Sequence, residues 1–212
     1  IEPRFDKHSR QLSSVQMGGD LSKCDLQTQE DTKMPSIFLI DRPGAAQSVI
    51  RAGHLTIPRT HEDYYAVAFL NYVLGGEYSS RLNMNLRQEK GYSYGFYSSI
   101  MWLKSRSAWL ARGSVQTEVT TESVQEIINE FHAIKHEKPI SEEEFVIAKD
   151  GLIKGIPSQY ETNSQIMSQM IRLSTFGLPL DNFKQSIKKL HSLELNEVLS
   201  AVTKHVMETQ LQ

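Results

Sequence analysis

Seven histidines, one cysteine and a short run of arginine and tyrosine carry most of the reactive chemistry in this sequence, and their spacing limits what each can do. His132 and His136, in "HAIKH", are four residues apart, so on a helix their imidazoles share a face one turn apart, as two ligands of a metal ion would. Hydrolysis at such a site needs a carboxylate to activate metal-bound water, and in a His-x-x-Glu-His arrangement that glutamate's position is held here by Lys135. A lysine cannot serve as that base. His61-Glu62 and His136-Glu137 likewise lack the second histidine of a His-Glu-x-x-His motif. The expectation for His132 and His136 is a solvated helix end that holds no metal. Cys24 has no nucleophile signature beside it, and a single cysteine excludes an internal disulfide and a multi-cysteine zinc site.

Arg87 and Tyr94 flank Gly91 in "LGGEYSSRLNMNLRQEKGYSYGFYSSI", Leu74 to Ile100. Two readings of this pair are open. In one, Arg87 is an exposed helical arginine paired with Glu77 or Glu89, and Tyr94 is one strand tyrosine among several. In the other, a helix end and the strand after Gly91 hold a guanidinium and a phenol together, aimed outward, as a clamp for a peptide carbonyl. No Gly-x-Ser-x-Gly elbow, phosphate loop or Gly-x-Gly-x-x-Gly offers a competing site.

The elements that must position this pair follow from periodicity and punctuation. "SIFLIDRPGAAQSVIRAGHLTI" predicts strands at about 36–41 and 46–55, parted by Pro43-Gly44. After Pro58 the period becomes helical: Thr60 is placed as N-cap, Tyr64, Val67, Leu70 or Asn71, and Leu74 share a side, and Gly75-Gly76 reads as the stop. A second helix opens at Ser79 or Ser80 and ends at Gly91, followed by strands at about 92–103 and 107–116. The second half is helical. "TTESVQEIINEFHAIKHEK" carries Val124, Ile127, Ile128, Phe131 and Ile134 on one stripe. Ser141 with Glu144 forms a capping box, and further helices are expected at about 142–155, 159–176, 181–190 and 194–208. Strands in close pairs followed by a helical half argue an α+β fold, an antiparallel sheet with helices packed on one face.

Composition narrows the class. At 212 residues the chain can bury the core of one large domain, expected at 36–212, with the polar stretch 1–35 as a linker or the tail of a preceding segment. A net charge of −2 with mixed signs gives no support for a nucleic-acid partner, and no apolar run is long enough to span a bilayer. The start, "IEPRFDKHSRQ", is neither a signal peptide nor an initiator methionine, so the chain is expected to be an excised fragment, soluble by composition.

The motif resembles the signature of the C-terminal, non-zinc half of the M16 metallopeptidases, the family of pitrilysin, mitochondrial processing peptidase and many bacterial zinc proteases. Its Leu-Gly-Gly, Ser-Ser-Arg-Leu and Leu-Arg blocks are Leu74-Gly75-Gly76, Ser79-Ser80-Arg81-Leu82 and Leu86-Arg87, with Gly91 and Tyr94 in register. The resemblance extends over about 36–208, through "IDRPGAAQSVIRAGH", "EEEFVIAKDGLIKGIPSQYET" and "FGLPLDNF". The family's closing strand has no counterpart after Gln212, and 1–35 matches only vaguely. What the resemblance implies is an M16/LuxS-like metallohydrolase half-domain that is not catalytic alone and binds no cofactor. Zinc belongs to a partner half, fused or separate, with Arg87 and Tyr94 as substrate-binding residues and a peptide as substrate. The alternative it implies is a non-proteolytic scaffold or assembly subunit. The parent would be bacterial, and cytoplasm and periplasm both stay open.

Overall fold

The computed structural model of the chain describes residues 37–211; the stretch 1–35 and Cys24 lie outside the described residues. Three strands form one antiparallel sheet: β1 (Gln47–Thr56), β2 (Ser93–Met101) and β3 (Ser107–Gln116), in the order β1-β3-β2. Seven α-helices accompany it: α1 (Tyr64–Asn71), α2 (Arg81–Asn83), α3 (Thr120–Ala133), α4 (Glu142–Gly155), α5 (Asn163–Phe176), α6 (Asn182–Ser192) and α7 (Leu195–His205). None of the described helices is long and apolar enough to cross a membrane.

Strand alternation sets the two faces of the sheet. Ile50, Ala52 and His54 of β1 face inward with Trp109, Ala111 and Val115 of β3 and Phe96 and Ser98 of β2. Val67, Phe69, Leu70, Leu82, Leu86, Ile127 and Phe131 from α1, α2 and its extension, and α3 close over that side, all fully buried. No described element covers the other face, where Val49, Leu55, Tyr97 and Met101 are exposed. This is the α+β arrangement with helices on one face. The expected apolar stripe of α3 is buried at Ile127, Phe131 and Ile134, whereas Ile128 lies at its margin, 38% exposed.

Several local expectations are corrected. No strand forms at residues 37–41: Ile37, Phe38, Leu39 and Ile40 are more than four-fifths exposed, because β1 pairs only with β3 and nothing described pairs with this apolar run. Alternation and turn signals see a strand's composition but not whether a neighbour exists to accept its hydrogen bonds. Thr60 does not cap α1. Turns closed by His61 N–H to Pro58 O and Tyr64 N–H to His61 O postpone the helix to Tyr64. The helical segment does end at the expected glycines, though through a π-helical turn, Tyr72–Gly76, after which Glu77 is extended; Gly75 is also required because a Cβ there would run into the backbone nitrogen and Oγ of Ser98 on β2.

Candidate substrate-contact site

The helix that presents Arg87 is short and irregular. α2 provides one turn and passes into a π-helical turn, Met84–Glu89, whose extra residue per loop is common at functional sites. Leu82 and Leu86 anchor it in the core. The chain then turns at Gly91 in a left-handed conformation, φ +68°, with Tyr92 N–H donating to Leu86 O at 2.9 Å. Helix and strand are thereby brought back to back within a few residues.

Buried amides fix the rest of this turn, and sequence reading missed them. Asn83, fully buried, accepts from Phe96 N–H at 3.1 Å through Oδ1 and donates to Tyr78 O at 2.7 Å through Nδ2. Asn85 donates to Glu126 at 2.9 Å and Glu130 at 2.8 Å on α3, and Lys90 adds an ion pair to Glu126 at 3.1 Å. Burial pushes the Glu126 carboxyl up, but Asn85 and Lys90 together hold it below the usual glutamate range. An asparagine has no periodicity to reveal it. The only cue was two asparagines, Asn83 and Asn85, inside an otherwise apolar and basic helix.

Tyr94 is aimed by a bulge. Ser93 pairs with Val115 and Phe96 with Gly113, so three residue steps on β2 span two on β3. Without the extra residue Tyr94 would share the inward face of Phe96; with it, Tyr94 is 87% exposed. The Ser93 hydroxyl stabilises the irregularity, lying 2.7 Å from Ser114 O and accepting from Gly95 N–H at 3.1 Å.

The structure brings the two sequence-derived site residues together. The Arg87 guanidinium carbon stands 4.9 Å from the Tyr94 ring centre and 4.7 Å from that of Tyr78. Two ring faces orient the cation without neutralising it, since Glu77 and Glu89 form no ion pair with it. Tyr78, the second ring, is steadied by Gln88, whose Nε2 donates to its hydroxyl. The Tyr94 hydroxyl makes no hydrogen bond with a described residue. A half-buried guanidinium and an unengaged phenol are therefore presented side by side, both able to donate to a carbonyl or carboxylate oxygen.

Arg81, in the same motif, is structural. It forms a fork on Glu144, Nε to Oε1 at 2.9 Å and Nη2 to Oε2 at 2.8 Å, and Nη1 donates to Lys138 O at 2.6 Å. Glu144 is also the capping-box glutamate that Ser141 completes at the start of α4. Burial pushes its carboxyl up, but Arg81 and the Ser141 backbone N–H outweigh that and hold it below the ordinary range.

His132 and His136 do come together with Glu208, their rings 4.3 Å apart and His136 Nε2 3.0 Å from Glu208 Oε1. The set does not fit a hydrolytic zinc centre. Lys135 Nζ is already 3.8 Å from the same Glu208 oxygen, and His132 Nδ1 is engaged with Glu137 at 3.1 Å.

An antiparallel sheet covered by helices on one side, with an arginine and two tyrosines stacked beside its β2 strand, defines a domain of α+β class. The family model for the peptidase M16 inactive domain matches residues 9–152, and the chain belongs to that family. A non-peptidase homolog, YmxG, from Helicobacter pylori is 32% identical over 141 residues, covering 62% of this chain and 31% of that protein. An uncharacterized zinc protease from Mycobacterium bovis is 25% identical over 173 residues, 82% of this chain and 39% of its own. The chain thus spans between three and four tenths of the length of these relatives. Among solved structures, the peptidase M16 inactive domain from Pseudomonas fluorescens superposes with a TM-score of 0.70 at 23% identity, over 79% of this chain and 40% of that one.

Proposed function

We propose that this chain is the substrate-binding, non-catalytic half of a zinc-dependent M16 endopeptidase, contacting a bound peptide through Arg87 and Tyr94 while a separate or fused half holds the zinc. The observation that carries this reading is the cation–ring pair itself. An arginine stacked on two tyrosines yet paired with no carboxylate among the described residues, beside a phenol almost wholly in solvent, has donors to give. The zinc supplied by the other half would polarise the scissile carbonyl. Within this chain, the Tyr94 hydroxyl donates to the carbonyl oxygen as negative charge develops there, and Arg87 holds the peptide backbone in register. Such donors act only when the two halves close on the substrate. In support, the sheet also carries Arg51 and Arg112 directly opposite one another, with Tyr97 beside Arg112, so it holds further donors.

A second reading is favoured by the name of the Helicobacter relative, a non-peptidase homolog: a scaffold or assembly subunit without proteolytic use. Reconstitution separates them. This chain is combined with the zinc-bearing half from the same organism and a fluorogenic peptide is followed. The proposal expects hydrolysis that rises with added chain to a one-to-one ratio; a complex that forms but leaves the rate unchanged favours the scaffold.

A further inference from the structure

Arg59 is a buried cation without a counter-ion. It is 5% exposed, its Nε has no hydrogen-bond partner, and its guanidinium carbon lies 3.5 Å over the Tyr64 ring. No carboxylate pairs with it among the described residues. Burying a charge is costly unless it is paired. Arg59 lines a cavity of about 120 Å³ between α1, α5 and α6, and a second arginine, Arg172 of α5, lines it too. None of the lining residues is Asp or Glu. Other lining residues are aromatic and neutral: Tyr160 meets Phe183 edge-on at 5.0 Å, and the Tyr65 hydroxyl already pairs with Ser186 at 2.9 Å.

We propose that this cavity is a binding site for a small carboxylate with an aromatic or branched apolar body. The carboxylate would be held by Arg59 and Arg172 and the body would lie against Phe183 and Tyr160. The volume suits such a ligand, being close to the roughly 150 Å³ void known to accept benzene. Two arginines fit a planar two-oxygen anion better than a point charge, because the guanidinium fork matches it. The site shares no residue with the Arg87–Tyr94 pair and stands or falls apart from it.

Sodium benzoate titrated into the 212-residue chain by calorimetry tests this. The expected result is saturable binding at one site per chain, with benzyl alcohol, the same ring without the charge, at least about tenfold weaker. Arg59→Gln should weaken benzoate by a similar factor, and Arg87→Ala should leave it unchanged. A short peptide ending in phenylalanine offers the same ring and carboxylate. Binding of benzoate but not the peptide assigns the site to free small acids, and binding of both extends it to chain termini. Should Arg59→Gln melt, Arg172→Gln carries the same expectation from the rim. No saturable benzoate binding, equal binding of benzyl alcohol, or full binding by folded Arg59→Gln or Arg172→Gln would each overturn the proposal.

Discussion

Two arginines six positions apart, Arg81 and Arg87, sit on one continuous helical segment and have opposite surroundings. Arg81 spends its donors inside the molecule, on both oxygens of Glu144 and on the carbonyls of Lys138 and Pro139. Arg87 lies over the faces of Tyr78 and Tyr94 and pairs with no carboxylate among the described residues. The first closes α2 onto α4 and is part of the fold; the second is held in place with its hydrogen-bonding capacity unspent. Charge and exposure alone would rank them alike, whereas the partners tell them apart.

The widest separation between the two should come from truncation. Arg81→Ala leaves Glu144 partly buried without its fork and should cost about 2–3 kcal/mol, read as a lowered midpoint in urea. A loss below about 0.5 kcal/mol would remove the distinction. Next in size is the turn that aligns Arg87 with Tyr94: Gly91→Ala forces a Cβ into the left-handed region and should cost roughly 1–2 kcal/mol, although nothing lies within 4 Å of the added atom. Thermal melts of that variant report the strain directly. Arg87→Ala should cost the least, under about 1 kcal/mol, since only ring contacts are lost.

The acid limb of stability sharpens the same contrast. Glu144, held below its usual range of about 4.5, contributes stability that is present above that value and lost as pH falls through the lowered one. Arg81→Ala should flatten this limb and Arg87→Ala should not. His54 acts at higher pH. Burial lowers it from 6.5, and the backbone carbonyl of Leu55 only partly offsets that. The unfolded chain then takes up a proton near pH 6.5 that the folded chain refuses, so stability is full above that pH and declines below it. His54→Gln should remove the slope just below pH 6.5 in a series of melts.

Much of this was legible in sequence, for identifiable reasons. Long helices with a 3.6 period, such as α3 and α4, declare themselves because one stripe must be buried, and the Ser141–Glu144 capping box marks a start that hydrogen bonds enforce. The Arg87–Tyr94 pairing was legible as proximity across Gly91. Its geometry was not: the bulge that turns Tyr94 outward depends on register with β3, and the π-helical turn under Arg87 depends on packing against β2 and α3. Gly75-Gly76 was legible as a helix end, while the close approach of Gly75 to Ser98, 23 residues away in the chain, was not. Arg59 escaped notice because burial of a cation is a tertiary event with no local pattern.

The proposed role of Tyr94 is to donate a hydrogen bond to the reacting carbonyl. Steady-state kinetics of Tyr94→Phe, assembled with the zinc-bearing half and run beside thermal melts of the same variant, address it most directly. The account predicts a fall in kcat of roughly ten- to a thousandfold, with KM and the melting midpoint little changed, as for loss of one oxyanion donor. An unchanged kcat in a folded, assembled Tyr94→Phe enzyme would contradict it.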